Sequence, residues 1–462
     1  MLASQINSYR DSLAKVKMNY QDLAEELVKK ASKKGATQAE VYLELGEEFS
    51  VQVRKGKVEI LEQSHRKGLG LRVFIKDKLG FSYTSDFTSK ALKDFIDKTV
   101  YLANQASSDE FNGLPQEDLP PSIDLQIYDP EVKSLGMDEK IEMARRCEEA
   151  AFSLDPRVKN SEGASFSHYD KRVLLVNSSG KSAASDSTFF ALSCIPVAEE
   201  KGEKRGGVFW DAKRFFSDLL SPEEVGKTAA QRGIRLLGAR KIKSQKVPVI
   251  IESVAAVRFL DAISSAINGE SVFKEASFLA ERKGERIASG LVSIWDDGTV
   301  TKGLGSTPFD GEGVPTHRKK IVDKGILTSF LYDTYTARKA RTKSTGNASR
   351  GYDSVPYISA ANFFLEKGNQ SPEDLIKSVS RGFYVTDLMG FGMNTVTGDF
   401  SQMAEGIWIE NGELTYPVHE VTLAGTLLGF FQGIEGVAND LYFRSKMASP
   451  TIKISELVLS GK

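Results

Sequence analysis

Cysteine and histidine are scarce in this chain: two and four residues respectively among 462. Cys147 and Cys194 lie far apart with no CxxC spacing, which excludes a disulfide framework and a local zinc knot and fits a reducing cytoplasm. His65, His168, His317 and His419 are scattered, none within five residues of another, so no helical zinc signature is present. No run approaches the roughly 18 apolar residues of a membrane span. The opening MLASQINSYRDSLAKVKMNY has neither an apolar signal core nor a cleavage site, so export and anchoring are not expected. Charge of one sign is also lacking: 61 basic against 62 acidic side chains leave a net charge of -1. That balance gives no electrostatic reason for direct nucleic-acid binding, and the basic runs His317 to Lys320 and Arg338 to Lys343 read as solvated faces. A GxSxG elbow is missing. SSGKS at Ser178 to Ser182 is not a phosphate loop, because Leu175 occupies the position of the required glycine.

What is present indicates an α+β fold. A helix is expected from about Tyr20 to Lys33, capped by Asn19 and ended by Gly35. The runs AEVYLEL, SVQVRKGKVEILEQ, LGLRVFI and LGFSYTS follow, with Val51, Val53, Val58, Ile60, Leu69, Leu71 and Val73 at period two, the pattern of half-buried antiparallel strands. Thr88 caps a second helix running to about Gln105. After a proline-rich loop between Asn112 and Pro130 the order recurs. A helix from about Glu139 capped by Asp138 precedes strands from Val158 to about Phe209, and SPEE at Ser221 has the form of a capping box. Two helix, antiparallel-meander, helix units suggest a structural duplication. A strand (VPVII), a long helix after Ser253 and a glycine-rich, strand-rich remainder complete the chain. The expected domains are residues 1–115 (α+β), 116–240 (α+β) and a large β-rich domain over 241–462. GLGLRV and GFGMNTVTG read as turns or close-packed strand glycines, not dinucleotide fingerprints.

Carboxylates cluster at Asp296, Asp297, Asp310 and Glu312, a set suited either to acid-base or cation chemistry or to ordinary turns. The segments DDGT at Asp296, FDGEGVPT at Phe309, TGNASR at Thr345, TGDFS at Thr397, IENG at Ile409, VTLAG at Val421, AND at Ala438 and SPTIKI at Ser449 occur in one order. With GES at Gly269 and GERIAS at Gly284, they closely resemble the TldD/PmbA (TldD/TldE) family, named for modulators of DNA gyrase. The resemblance covers essentially the whole chain.

In TldD-like members, the resemblance implies, a helix carries HExxxH, with the histidines on zinc and the glutamate as general base; a later cysteine adds a ligand. Counted back from Gly269, those positions hold Leu260, Asp261 and Ser265, and AND is followed by RSKMASPTIKI without a cysteine. Leucine cannot ligate zinc, and a catalytic site needs about three protein ligands. This pattern implies the PmbA/TldE branch: no catalytic or metal-binding residue and no cofactor in this chain, with zinc held by a TldD-like partner. The implied assembly is a heterodimer, or a homodimer when the chain is alone, acting on unfolded or extended peptides. Asp310, Glu312, Thr345, Asn347 and Arg350 are expected either to line the peptide cleft or subunit seam, or to cap turns of the shared scaffold. Two other readings remain open. One is a metallopeptidase with a rearranged site drawn from Asp261, Asp310 and a histidine such as His317 or His419; the other is a regulatory binding protein of the gyrase-modulator type.

Overall fold

The computed structural model describes residues 19–117, 123–390 and 392–461; the opening segment through Met18, Pro120, Pro121 and Phe391 lie outside the described residues. Helix α1 (Tyr20–Lys33) begins where Asn19 accepts the backbone N–H groups of Gln21 and Asp22, and Gly35 follows at φ +100°. Strands β1 (Gln38–Arg54), β2 (Lys57–Ile75) and β3 (Lys78–Thr84) form the expected meander, followed by α2 (Ser89–Gln105) with Thr88 as its cap. Helix α3 (Met137–Leu154) leads to β4 (Val158–Asn177), β5 (Ser182–Glu200), β6 (Glu203–Gly206), β7 (Phe209–Lys213) and α4 (Pro222–Ile234).

Several local expectations need correction. The four runs between residues 39 and 85 form three strands, because AEVYLEL continues into SVQVR and KVEILEQ into LGLRVFI. Gly46 does not interrupt β1; it is a point of close approach, where a Cβ would stand 2.6 Å from the Asp170 carbonyl. Val58 and Ile60, expected to be half-buried, are 42% and 43% exposed. Their part of β2 pairs only with β1, since β3 first pairs at Leu69. Helix α3 starts behind Gly136, which offers no side-chain cap, and Asp138 lies inside the first turn, where its charge favours the helix dipole. Ser221 caps α4 by accepting the Glu224 N–H. The two cysteines, remote in sequence, meet across α3 and β5, where the Cys194 thiol points at the Cys147 carbonyl 4.0 Å away; both are buried and free.

The two helix-meander-helix units merge into one sheet of order β3-β2-β1-β4-β5-β6, with β7 also on β5. β1 and β4 are its antiparallel centre, in register from Glu40 opposite Asn177 to Val53 opposite Ala164. Period two then sorts the side chains. Val41, Leu43, Phe49, Val51 and Val53 face the helices, α1 and α2 covering one half of the sheet and α3 and α4 the other. Glu40, Tyr42, Gly68, Gly70 and Arg72 have the opposite parity and face the C-terminal region. The glycines of GLGLRV admit that region, as a Cβ at Gly68 would strike the Tyr352 ring and one at Gly70 the Tyr352 carbonyl, both at 2.2 Å.

The C-terminal region continues with β8 (Gln245–Ile251), helix α5 (Ser253–Ala266), β9 (Ile294–Asp297), β10 (Arg318–Asp323), β11 (Ile326–Leu327), β12 (Ala348–Ser349), β13 (Tyr357–Ile358) and β14 (Asn362–Leu365). It closes with β15 (Arg381–Met389), β16 (Asp399–Glu410), β17 (Glu413–Thr426), β18 (Ile434–Val437), β19 (Met447–Ala448) and β20 (Ile452–Ser460). One sheet has the order β17-β16-β15-β8-β20-β18 and, because β17 also pairs with β20, curls into a closed ring. A second sheet, β11-β10-β9-β14-β19, leaves β19 at its edge. Helix α5 lies against β14, β15 and β19. Its Ala255, Ala256, Phe259, Leu260, Ile263 and Ala266 enter the core, with Phe259 stacked on Phe430 at 3.7 Å. Among the described residues no helix is long and apolar enough to cross a membrane.

His168, on the helix-facing side of β4, is 3% exposed and stacked on Phe49, and neither ring nitrogen has a hydrogen-bond partner. Burial, with Lys140 nearby, lowers its pKa from 6.5 to about 4, against a weaker upward pull from Glu47 and Asp170. Both states are neutral well above pH 6.5. As pH falls from there toward 4 the unfolded chain takes the proton first, so stability is lost on acidification. The expected loss from this group is about 3 kcal/mol by pH 4. Urea unfolding of wild type and His168→Phe across pH 4 to 8 should show that much less pH dependence in the variant; parallel profiles would refute the assignment.

Candidate functional site

Glu40, Arg72, Glu312 and Arg350, two from each region, form a buried charged clamp. Arg72 donates to Glu40 Oε1 through Nε at 3.2 Å and to Glu312 Oε1 through Nη1 at 2.9 Å; Arg350 Nη2 donates to the same Glu40 oxygen at 2.6 Å. Thr334 N–H donates to the other Glu312 oxygen at 2.9 Å. Burial pulls the Glu312 pKa upward, but Arg72 and the Thr334 donor outweigh it and hold the carboxyl below its usual range. Its neighbour Asp310 behaves oppositely. Burial, reinforced by the Glu312 charge, raises Asp310 to about 8, although the N–H groups of Glu312, Val314 and Ala348 all donate to it.

Beside the clamp, a cavity of about 290 Å³ opens between the sheet face and the C-terminal loops. Tyr42, Tyr169 and Lys171 form its sheet wall, and Asp310, Asn347 and Arg350 the opposite one. Arg214, just beyond β7, closes one end by donating to the carbonyls of Thr188, Gly303 and Leu304. Asn347 also donates to Asp296 Oδ2 at 2.8 Å, the oxygen that receives Lys319 Nζ at 2.7 Å.

A second, larger cavity of about 500 Å³ lies along the outward face of α5. Ser253, Val254, Val257, Arg258 and Asp261 line it from the helix, Trp210 from β7, and Tyr442, Arg444, Lys446 and Met447 from the strand-rich side. Tyr442 is fixed by donating its hydroxyl to Asp211 at 3.0 Å, and Lys213 Nζ holds the Phe443 carbonyl at 3.1 Å. Lys446, which donates to Ser359 Oγ at 2.7 Å and the Ala360 carbonyl at 3.2 Å, lines both cavities.

The sequence-derived residues therefore separate. Asp310, Asn347 and Arg350 share the smaller cavity; Glu312 is spent in the clamp; Thr345 holds a turn by accepting the Tyr332 N–H at 2.7 Å. On α5, Leu260 is 1% exposed in the core, whereas Asp261 and Ser265 point outward one turn apart. Asp261 and Asp310 line different cavities, His168 is inside the sheet core, and among the described residues no three His, Cys, Asp or Glu side chains are grouped to hold a metal ion. The donor set around α5 does not fit zinc, since one of its three family positions is an aliphatic core residue. Sequence reasoning missed Glu40 and Arg72, hidden in ordinary strand patterns. It also missed Trp210 and the LYFRSKM stretch, whose interleaved aromatic and basic residues were the available signal.

Comparison with known proteins places these features. Residues 244–461 match the PmbA/TldA metallopeptidase C-terminal domain, residues 130–237 the central domain of the same description and residues 39–103 its domain 1. The metalloprotease PmbA of Escherichia coli O157:H7 is 35% identical over 427 residues, covering 92% of each chain. A solved structure from Bacteroides thetaiotaomicron, described as a candidate modulator of DNA gyrase, superposes with a TM-score of 0.89 at 28% identity, over 96% of this chain and 100% of that one. TldE from Thermococcus kodakarensis shares the fold, with a TM-score of 0.87 at 23% identity over 95% and 99% of the two chains.

Removing one member of a buried ion cluster leaves the others desolvated and unpaired, at a cost of about 3–5 kcal/mol. Arg72→Met is expected to lower unfolding stability by that amount in urea titration. Arg72→Lys should recover only part of it, because one ammonium lacks the fork that reaches both Glu40 and Glu312. A loss below about 1 kcal/mol for Arg72→Met would show that the clamp is not needed.

Proposed function

The chain belongs to the PmbA/TldD metallopeptidase family, on its PmbA-like branch, and from that premise we propose that it is the non-catalytic, peptide-binding subunit of a TldD/TldE-type peptidase. The observation that carries this reading is α5. Its outward face borders a cavity of peptide-binding size, yet the positions that resemblance assigns to ligands and base hold Leu260, Asp261 and Ser265. Restoring the first ligand would mean burying a histidine in place of Leu260 among Phe259, Ile263 and the ring strands. The metal, one zinc with its general base, would then belong to a TldD-like partner, and this chain would complete the complex and hold extended substrate.

The cavity walls support that division of labour. Edge strand β19 borders the α5 cavity through Met447, and an unpaired strand edge can receive an extended peptide through backbone hydrogen bonds with little demand on its sequence. Asp310, Asn347 and Arg350 would then contribute to the adjoining cavity, with Glu312 fixing the wall behind them. The near-neutral net charge favours peptide over nucleic acid, and a cytoplasmic location fits two free thiols.

Purified alone, the chain is expected to contain no stoichiometric zinc by elemental analysis and to leave unfolded peptides intact. Mixed with a TldD-like chain carrying HExxxH, it should co-elute with that chain and support chelator-sensitive hydrolysis. Tight zinc at one per chain, with peptidase activity in the isolated protein, would overturn the proposal.

A further inference from the structure

The α5 cavity contains three cations without carboxylate partners. Arg258 is exposed on the helix and forms no ion pair among the described residues. Arg444 lies over two aromatic rings, its guanidinium carbon 4.5 Å from the Tyr442 centroid and 4.8 Å from that of Phe209. Its Nε is buried without a hydrogen-bond partner, and burial lowers its pKa. The carboxylates that reach it electrostatically are engaged elsewhere: Asp211 with Lys213 and Tyr442, Glu252 with Arg232 and Arg235. Lys446 touches only neutral oxygens. Against these three stands one acid, Asp261, so the cavity carries a net charge of about +2 from its lining side chains.

Such an arrangement is costly when empty of counter-charge. A half-buried guanidinium with an orphaned N–H, stacked and pre-oriented, is a strong donor to a carboxylate. Apart from three serines, the remaining lining is apolar or aromatic: Trp210, Val254, Val257, Tyr442 and Met447. A ligand that satisfies both features has an aliphatic or aromatic body joined to an anion. We infer that this cavity binds a peptide carboxylate, with Arg444 as the principal donor, assisted by Arg258 and Lys446, and with the apolar wall accepting the side chain that accompanies it. The carboxylate comes from a peptide C-terminus or from an Asp or Glu side chain. The inference rests on the peptide-binding reading and sharpens it: the subunit recognises one charged feature of its substrate as well as its backbone.

Trp210 supplies the readout. The full-length chain is titrated with acetyl-Ala-Ala-Phe as free acid, with its C-terminal amide and with acetyl-Asp-Ala-Phe amide, following tryptophan emission, with Trp210→Phe as the control for signal origin. The free acid is expected to bind at least about tenfold more tightly than the neutral amide. Arg444→Gln should erase that difference, and Lys446→Gln and Arg258→Gln, at exposed positions, should reduce it with the thermal midpoint unchanged. If the Asp-containing amide matches the free acid, either carboxylate serves; if it matches the neutral amide, the source is the C-terminus; if it alone binds tightly, the source is a side chain. Equal affinity of all three peptides would overturn the carboxylate site while leaving peptide binding intact. Failure of every peptide to bind, alone or with a TldD-like partner, would overturn both.

Discussion

Burying a guanidinium is tolerable only where opposite charge lies beside it, and the junction between the two regions is built on such a pairing of Arg72 with two carboxylates. Arg72 on β2 pairs at once with Glu40 on its own sheet and Glu312 across the junction, while Arg350 returns the contact to Glu40. Buried charge of this kind contributes little as net stabilisation, but it punishes misplacement. A shift of either region would strand desolvated ions, so the clamp acts as a register. It fixes the sheet face against the loops carrying Asp310, Asn347 and Arg350, and so sets the walls of the smaller cavity. Gly68 and Gly70 make this fit possible by yielding their side-chain volume to Tyr352.

The two cavities meet at one residue. Lys446 lines both, so the basic lining of the larger continues toward Arg350, Arg214 and Lys171 in the smaller. Helix α5 contributes only one face to this surface. Its other face, with Phe259 on Phe430 and Leu260 beside it, is committed to the core. A helix used in this way supplies shape and charge where related chains are expected to supply a metal.

Much of the architecture was readable from sequence because local chemistry dictated it. Asn19, Thr88 and Ser221 cap where their short acceptors predict, and period-two burial identified the strands that helices cover. Burial on the outer half of β2 was not readable, since alternation reports what a strand can bury and not whether anything covers it. Val58 and Ile60 alternate as Leu69 and Leu71 do, yet only the latter lie beneath a helix. The same limit applied to the site. Asp310, Asn347 and Arg350 were visible within two dense motifs, but Glu40 and Arg72 of the clamp lie in distant strands whose local patterns carry no mark of the contact, and Trp210 and Arg444 reach the larger cavity from segments marked only by aromatic and basic residues lying together.

The clamp also orders events in time. Arg350 meets Glu40 across 310 residues of chain, so at a synthesis rate of about 5–20 residues per second Glu40 is made roughly 15–60 seconds before Arg350. Until Glu312 and then Arg350 are made, Glu40 and Arg72 have only each other and water. The nascent sheet therefore presents a hydrated, charged face where the finished protein has a dry one, and premature collapse onto that face is disfavoured until the chain that belongs there arrives.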